Sequence, residues 1–109
     1  MQHVLKLMHK QELGTIINVA SLAGANGLPF RSAYSASKAA VMRITESLRL
    51  ELRHTPIQCT TLSPGSIQTP IAASRLYAPL KEDSVYYNQY KNALEDMDAH
   101  VNKGLHPVA

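Results

Sequence analysis

The chain has 109 residues, of which 45% are hydrophobic and 17% charged, and a net charge of +3 at neutral pH. The positive excess is interleaved with acids such as Glu46, Glu51, Glu82 and Asp83, so no basic stripe marks a nucleic-acid face. No apolar run approaches a membrane span, and Lys6, His9 and Lys10 break up the apolar residues at the start, unlike a signal peptide; a cytoplasmic location is the expectation.

Residues 15–20, Thr-Ile-Ile-Asn-Val-Ala, form a short β-branched run after Gly14, and residues 57–62, Ile-Gln-Cys-Thr-Thr-Leu, form another between Pro56 and Pro64. Their length and composition predict buried strands. Between them, about residues 32–54, Ala36, Ala40, Ile44 and Leu48, with Val41 and Leu52, recur at helical steps. Ser32 is placed to cap the start of that helix, and Arg53 and His54 suit the negative end of its dipole. Strand, long helix, strand is a βαβ unit, whose crossover makes the two strands parallel. The stretch Pro64 to Pro79 reads as the one long loop. Beyond it, Tyr87, Tyr90, Leu94, Met97 and Val101 repeat at steps of three and four, an apolar stripe on a helix. Such stripes most often mean burial against a core.

Tyr34 and Lys38 lie four residues apart on the predicted central helix, and Ser21 ends the first predicted strand thirteen residues before the tyrosine. A phenol and an ammonium one helical turn apart, facing a hydroxyl, make a proton-transfer site suited to alcohol or carbonyl redox chemistry. The spacing alone is weak, because Tyr77 with Lys81 and Tyr87 with Lys91 repeat it. Pro79 breaks the first of these pairs, and Ser74, thirteen residues before Tyr87, has no strand ahead of it. Taken singly, each group also has a plain structural role: Ser21 as a strand-end residue bonding nearby backbone, Tyr34 and Lys38 as solvated helix residues. Cys59, the single cysteine, falls in the second strand and has no partner for a disulfide. The histidines at 3, 9, 54, 100 and 106 share no metal-ligand spacing, so no metal site is expected.

Three segments in order resemble the classical short-chain dehydrogenases/reductases. Gly14 to Gly24, Gly-Thr-Ile-Ile-Asn-Val-Ala-Ser-Leu-Ala-Gly, is similar to that family's fifth strand and catalytic-serine segment; Tyr34-Ser-Ala-Ser-Lys38 is similar to its active-site motif; Ser63-Pro-Gly-Ser-Ile-Gln-Thr-Pro70 is similar to the segment over its nicotinamide. The resemblance implies an α/β fold, a partial Rossmann-type doubly wound parallel sheet, and an NAD(P)-dependent oxidoreductase acting on an alcohol or carbonyl. It assigns catalysis to Ser21, Tyr34 and Lys38. Cofactor contacts fall on Tyr34, Lys38, Pro64, Gly65, Ile67 and Thr69, with Ile67 acting through its backbone. The cofactor is NAD or NADP, with neither selected. Residues 71–103 correspond to the family's variable substrate segment, a lid over a small-molecule alcohol or carbonyl substrate, apolar substrates being among those such a segment admits.

The five glycines nowhere form the glycine-rich turn that receives a pyrophosphate, and residues 1–13 look like the end of a helix that carries the family's catalytic asparagine further upstream. With only two strands, residues 1–109 are expected to be the catalytic half of one partial Rossmann-like domain. Such a truncated chain is expected to be inactive by itself. The alternative is a non-catalytic truncated product that keeps a surface for pairing through the helix at about 32–54, the element through which the family commonly forms homo-oligomers.

Overall fold

The chain leaves its first helix, α1 (Gln2–Gln11), through Glu12 at φ 52°, a left-handed backbone that few non-glycine residues adopt, and enters strand β1 (Gly14–Val19). Gly14 has no side chain to oppose Met8, which lies directly over it. Along β1, half-buried Gly14, Ile16 and Asn18 alternate with exposed Thr15, Ile17 and Val19, the period of two that one covered sheet face imposes. The computed structural model describes residues 2–106 and, for Ala72, the backbone alone. Their remaining elements are α2 (Ser32–Glu51), β2 (Ile57–Leu62) and α3 (Tyr87–Asn102), with short 3-10 turns at Leu22–Gly24 and Pro70–Ser74. Contacts divide the chain into two compact units, Met1–Pro64 and Gly65–Ala109.

In the first unit, β1 and β2 pair in parallel, with Gly14 opposite Ile57 and Val19 opposite Leu62. Both predicted strands form, the first one residue earlier than its run suggests. The crossover between them is α2, free of glycine and proline from Ser32 to Thr55. Thr55 joins helix to strand: its amide and hydroxyl both donate to the Leu52 carbonyl, at 2.9 and 2.8 Å, and its Oγ1 accepts from the Ile57 amide at 3.3 Å. Leu48, Leu52, Ile57 and Cys59 form the buried core, with Leu5, Met8 and Ile16 packed against it.

Three expectations about α2 are corrected. Phe30, at φ 57°, turns the chain so that Arg31 is the cap residue and Ser32 is already helical, with no side-chain cap. Arg53 and His54 fall beyond the helix, where Arg53 Nε donates to His54 Nε2 at 2.9 Å; Arg49 is the cation of the last turn. Of the predicted stripe, Leu48 and Leu52 are buried, but Ala36, Ala40 and Ile44 are exposed. The buried line runs instead through Ser35, Thr45, Leu48 and Leu52. Two hydroxyls lie on it because both are satisfied internally, which removes the cost that would otherwise keep them outside.

In the second unit, α3 places Met97 in the interior and half-buries Tyr87, Tyr90, Leu94 and Val101, the predicted stripe. Arg75 donates to Asp98 Oδ1 and to the Tyr77 hydroxyl, each at 3.2 Å, and the Tyr90 hydroxyl donates to the Ala78 carbonyl at 3.4 Å. These contacts tie the irregular segment around Pro79 to the helix. The predicted loop from Pro64 to Pro79 is interrupted by the turn at Pro70–Ser74, because proline fixes a backbone angle that suits a 3-10 start. No helix among the described residues is long and apolar enough to cross a membrane.

Candidate active site

Parallel strands end on the same edge, and in open α/β sheets ligands bind beyond those carboxyl ends. Ser21 lies two residues past the end of β1, and Pro64 two residues past the end of β2. The ladder continues into both segments: the Ala20 amide donates to the Leu62 carbonyl at 2.8 Å, and the Leu22 amide to the Pro64 carbonyl at 3.1 Å. Ser21 is therefore held between two bonds to the chain leaving β2. Its Oγ accepts the Ala23 amide at 3.2 Å and caps the Leu22–Gly24 turn. The structural role open to this residue is thus present, and it fixes the hydroxyl rather than consuming its proton, since Oγ acts there as acceptor.

Tyr34 and Lys38 occupy the first and second turns of α2. Lys38 Nζ lies 5.9 Å from the centre of the Tyr34 ring and donates to the carbonyl of Val19, the last residue of β1, at 3.4 Å. The ammonium thus sits beside the phenol at the strand's carboxyl end, and Tyr34 is 44% exposed. No hydrogen bond joins Tyr34 to Ser21 among the described residues; the two hydroxyls belong to separate elements that meet this edge.

Four contacts set α2 against the serine segment. Lys38 reaches Val19, as above. Asn18 Nδ2 donates to Thr45 Oγ1 at 2.8 Å, and Thr45 donates its own proton to the Val41 carbonyl at 2.7 Å. Thr45 has one proton and spends it on Val41, so it accepts from Asn18, which fixes the amide orientation of Asn18. Ser35 Oγ accepts the Leu28 amide at 3.3 Å. Finally, Gly24 lies against the helix backbone: a Cβ there would fall 2.8 Å from the Lys38 carbonyl carbon and 2.9 Å from Met42 Sδ. Asn18, Thr45 and Gly24 were not among the sequence-predicted site residues. The only available signal was their position, Asn18 three residues before Ser21 and Thr45 seven after Lys38.

The repeated spacings separate as expected. Tyr77 and Lys81 lie in irregular chain, whereas Tyr87 and Lys91 lie on α3 with Ser74 in a 3-10 turn rather than after a strand.

Gly65, Ile67 and Thr69 belong to the second unit. Ile67 forms a parallel bridge with Leu105, in which the Leu105 amide donates to the Ser66 carbonyl at 3.1 Å and the Gln68 amide to the Leu105 carbonyl at 3.0 Å. In this pattern the bonds come from the residues on either side of Ile67, so its own N–H and C=O point to the opposite edge. Gly65 and Thr69 are exposed. No cluster of ligating side chains among the described residues has the makings of a metal site. Cys59 is 4% exposed, and burial raises its thiol pKa against the opposing charge of Arg49.

Two parallel strands joined by a long helix, with Ser21 and the Tyr34–Lys38 pair at the carboxyl edge, make up part of a Rossmann-type α/β fold. The chain belongs to the short-chain dehydrogenase family, whose model, described as short chain dehydrogenase, matches residues 1–78. It is 40% identical over 82 residues to the 2-(R)-hydroxypropyl-CoM dehydrogenase of Xanthobacter autotrophicus, covering 75% of this chain and 33% of that protein. Among solved structures it is similar to an actinorhodin polyketide ketoreductase variant with NADPH, at 33% identity and a TM-score of 0.63, over 92% of this chain and 37% of that one. It is also similar to NAD+-bound xylitol dehydrogenase, at 39% identity and a TM-score of 0.56, over 62% of this chain and 27% of that one. The chain spans about a third of the length of the curated relatives it matches.

Proposed function

We propose that this chain supplies the proton-transfer half of an NAD(P)-dependent oxidoreductase that interconverts an alcohol and a carbonyl. The observation that carries the reading is Lys38, whose ammonium lies beside the Tyr34 ring and on the last carbonyl of β1. The residues fit the nicotinamide end of the cofactor. In the first unit, Lys38 offers donors suited to ribose hydroxyls; in the second, taken by itself, Ile67 has an N–H and a C=O on the edge away from Leu105, groups complementary to a carboxamide. Pro64, Gly65 and Thr69 flank those groups in sequence. The solved relatives named above carry NAD+ in one case and NADPH in the other, so the reading takes either dinucleotide.

A bound nicotinamide supplies or accepts the hydride. Tyr34 Oη donates a proton to the substrate oxygen during carbonyl reduction and accepts it during alcohol oxidation. The ammonium of Lys38 places a positive charge beside the phenol ring. Ser21, its Oγ oriented by the Ala23 amide, hydrogen-bonds the substrate oxygen through its O–H, keeping its own proton, and holds that oxygen in line with Tyr34. Residues 71–103, with the stripe of α3, are assigned to a lid over an apolar substrate, and a cytoplasmic location fits this chemistry.

Replacement of Tyr34 by Phe tests the reading. Turnover in the active protein is expected to fall by about 10²- to 10⁴-fold, the usual worth of a positioned acid–base group, while cofactor affinity stays within about tenfold. Turnover retained by Tyr34→Phe excludes the phenol as the proton donor.

A further inference from the structure

Leu105 uses both of its backbone groups on the segment that carries Ile67. Its N–H goes to the Ser66 carbonyl and its C=O receives the Gln68 amide. The approach is close because residue 104 is glycine: a Cβ there would lie 2.7 Å from the Ser66 oxygen, 2.8 Å from the Ser66 carbonyl carbon and 3.0 Å from the Ile67 nitrogen. These are backbone atoms of a bonded segment, with no flexible side-chain end to yield. Gly104 follows directly on α3, whose last turn continues through the Lys103 amide to the Ala99 carbonyl and the Gly104 amide to the Val101 carbonyl, each at 3.1 Å. The end of α3 is thus fastened by main chain to residues 66–68.

We propose that Gly104 and Leu105 are positioning residues, a strap that presents the Ile67 N–H and C=O to the carboxamide of a nicotinamide. The inference rests on the reading of Ile67 given above and extends it. By occupying Ser66 and Gln68 from one side, Leu105 fixes the peptide planes on both sides of Ile67. The Ile67 groups are then held outward in the alternate orientation of a parallel bridge before any ligand arrives. It follows that α3 and the cofactor segment are mechanically one piece, so a change at the end of the helix is felt at the carboxamide contact.

The test is amide NMR of the ¹⁵N-labelled 109-residue chain titrated with reduced nicotinamide mononucleotide. Two variants are compared with the parent: Gly104→Val, which cannot keep the close approach, and Leu105→Pro, which removes one donor without adding bulk at residue 104. In the parent, the Ile67 amide and the Lys38 side chain are both expected to shift on titration, with the Gln68 amide slow to exchange. In the variants, Gln68 exchange is expected to accelerate and the Ile67 response to disappear, while the Lys38 response persists. An undiminished Ile67 response in a variant whose Gln68 exchanges freely overturns the strap and leaves the reading of the site intact. Gln68 still protected in both variants also overturns it, since neither the glycine nor the Leu105 donor would then hold the strap. A parent in which neither Lys38 nor Ile67 responds overturns the reading of the site and the strap together.

Discussion

At the scale of single residues, the chemistry divides by what each group can give. Tyr34 holds a transferable proton, Lys38 holds a fixed charge, and Ser21 holds a hydroxyl whose direction is set by the Ala23 amide. Lys38→Ala is therefore expected to damage cofactor binding and turnover together, unlike Tyr34→Phe, and steady-state kinetics of the two variants separate the roles. Equal effects on both parameters in the two variants would contradict the division. Cys59 supplies a test with a defined sign. Its raised pKa keeps the thiol protonated at neutral pH in the folded chain. As pH climbs past the ordinary thiol range, the unfolded chain ionises first, and stability falls until the folded pKa is reached. Ellman's reagent at pH 8 should accordingly react with Cys59 on the order of tenfold or more slowly in the folded chain than in urea. The placement of Ser21 after β1 and of Tyr34 and Lys38 on α2 was legible in the sequence, because strand, serine, tyrosine and lysine follow one another at fixed local spacing. The role of Ser21 as a cap was legible too, since hydroxyls at strand ends habitually bond nearby amides.

At the scale of elements, the βαβ unit could be read from two apolar runs and a long helical stretch, but the way α2 sits on β1 could not. Apolar periodicity pointed to Ala36, Ala40 and Ile44, whereas the helix turns Ser35 and Thr45 inward. Polar residues count as outward in any apolar pattern, and only the partner, Asn18 on a strand 27 residues away, makes Thr45 a core residue. Thr45→Val keeps the shape and strands the Asn18 amide. It is expected to cost about 1–3 kcal/mol, with Thr45→Ser restoring most of it; urea denaturation measures both. The same experiment on Leu48→Ala should give a loss of about 2–5 kcal/mol, since that side chain is 8% exposed within the core cluster. A Thr45→Val variant as stable as its parent would mean that the Asn18 bond adds nothing to the register of α2. The pairing of Ile67 with Leu105 was equally hidden, because backbone bonds between distant, irregular segments leave no local pattern.

At the scale of the whole molecule, the chain belongs to the short-chain dehydrogenase family and matches about a third of its curated relatives' length. The outward face of α2, with Ala36, Ala40 and Ile44, combines small residues with a 55% exposed isoleucine, which suits close packing against a second copy. If α2 pairs in this way, sedimentation velocity should show concentration-dependent association that Ile44→Arg abolishes; a monomer at every concentration would remove the pairing role. The proposed cofactor reading concerns the nicotinamide end and rests in the first unit on Lys38, while the sequence of this chain contains no glycine-rich turn for a pyrophosphate. The measurement that tests the central claim most directly is the fluorescence of reduced nicotinamide mononucleotide titrated with the purified chain, its fold checked by circular dichroism. The account predicts a saturable change that Lys38→Ala weakens strongly and that added ADP does not compete away. A folded chain that produces no change, or a change indifferent to Lys38→Ala, would contradict it.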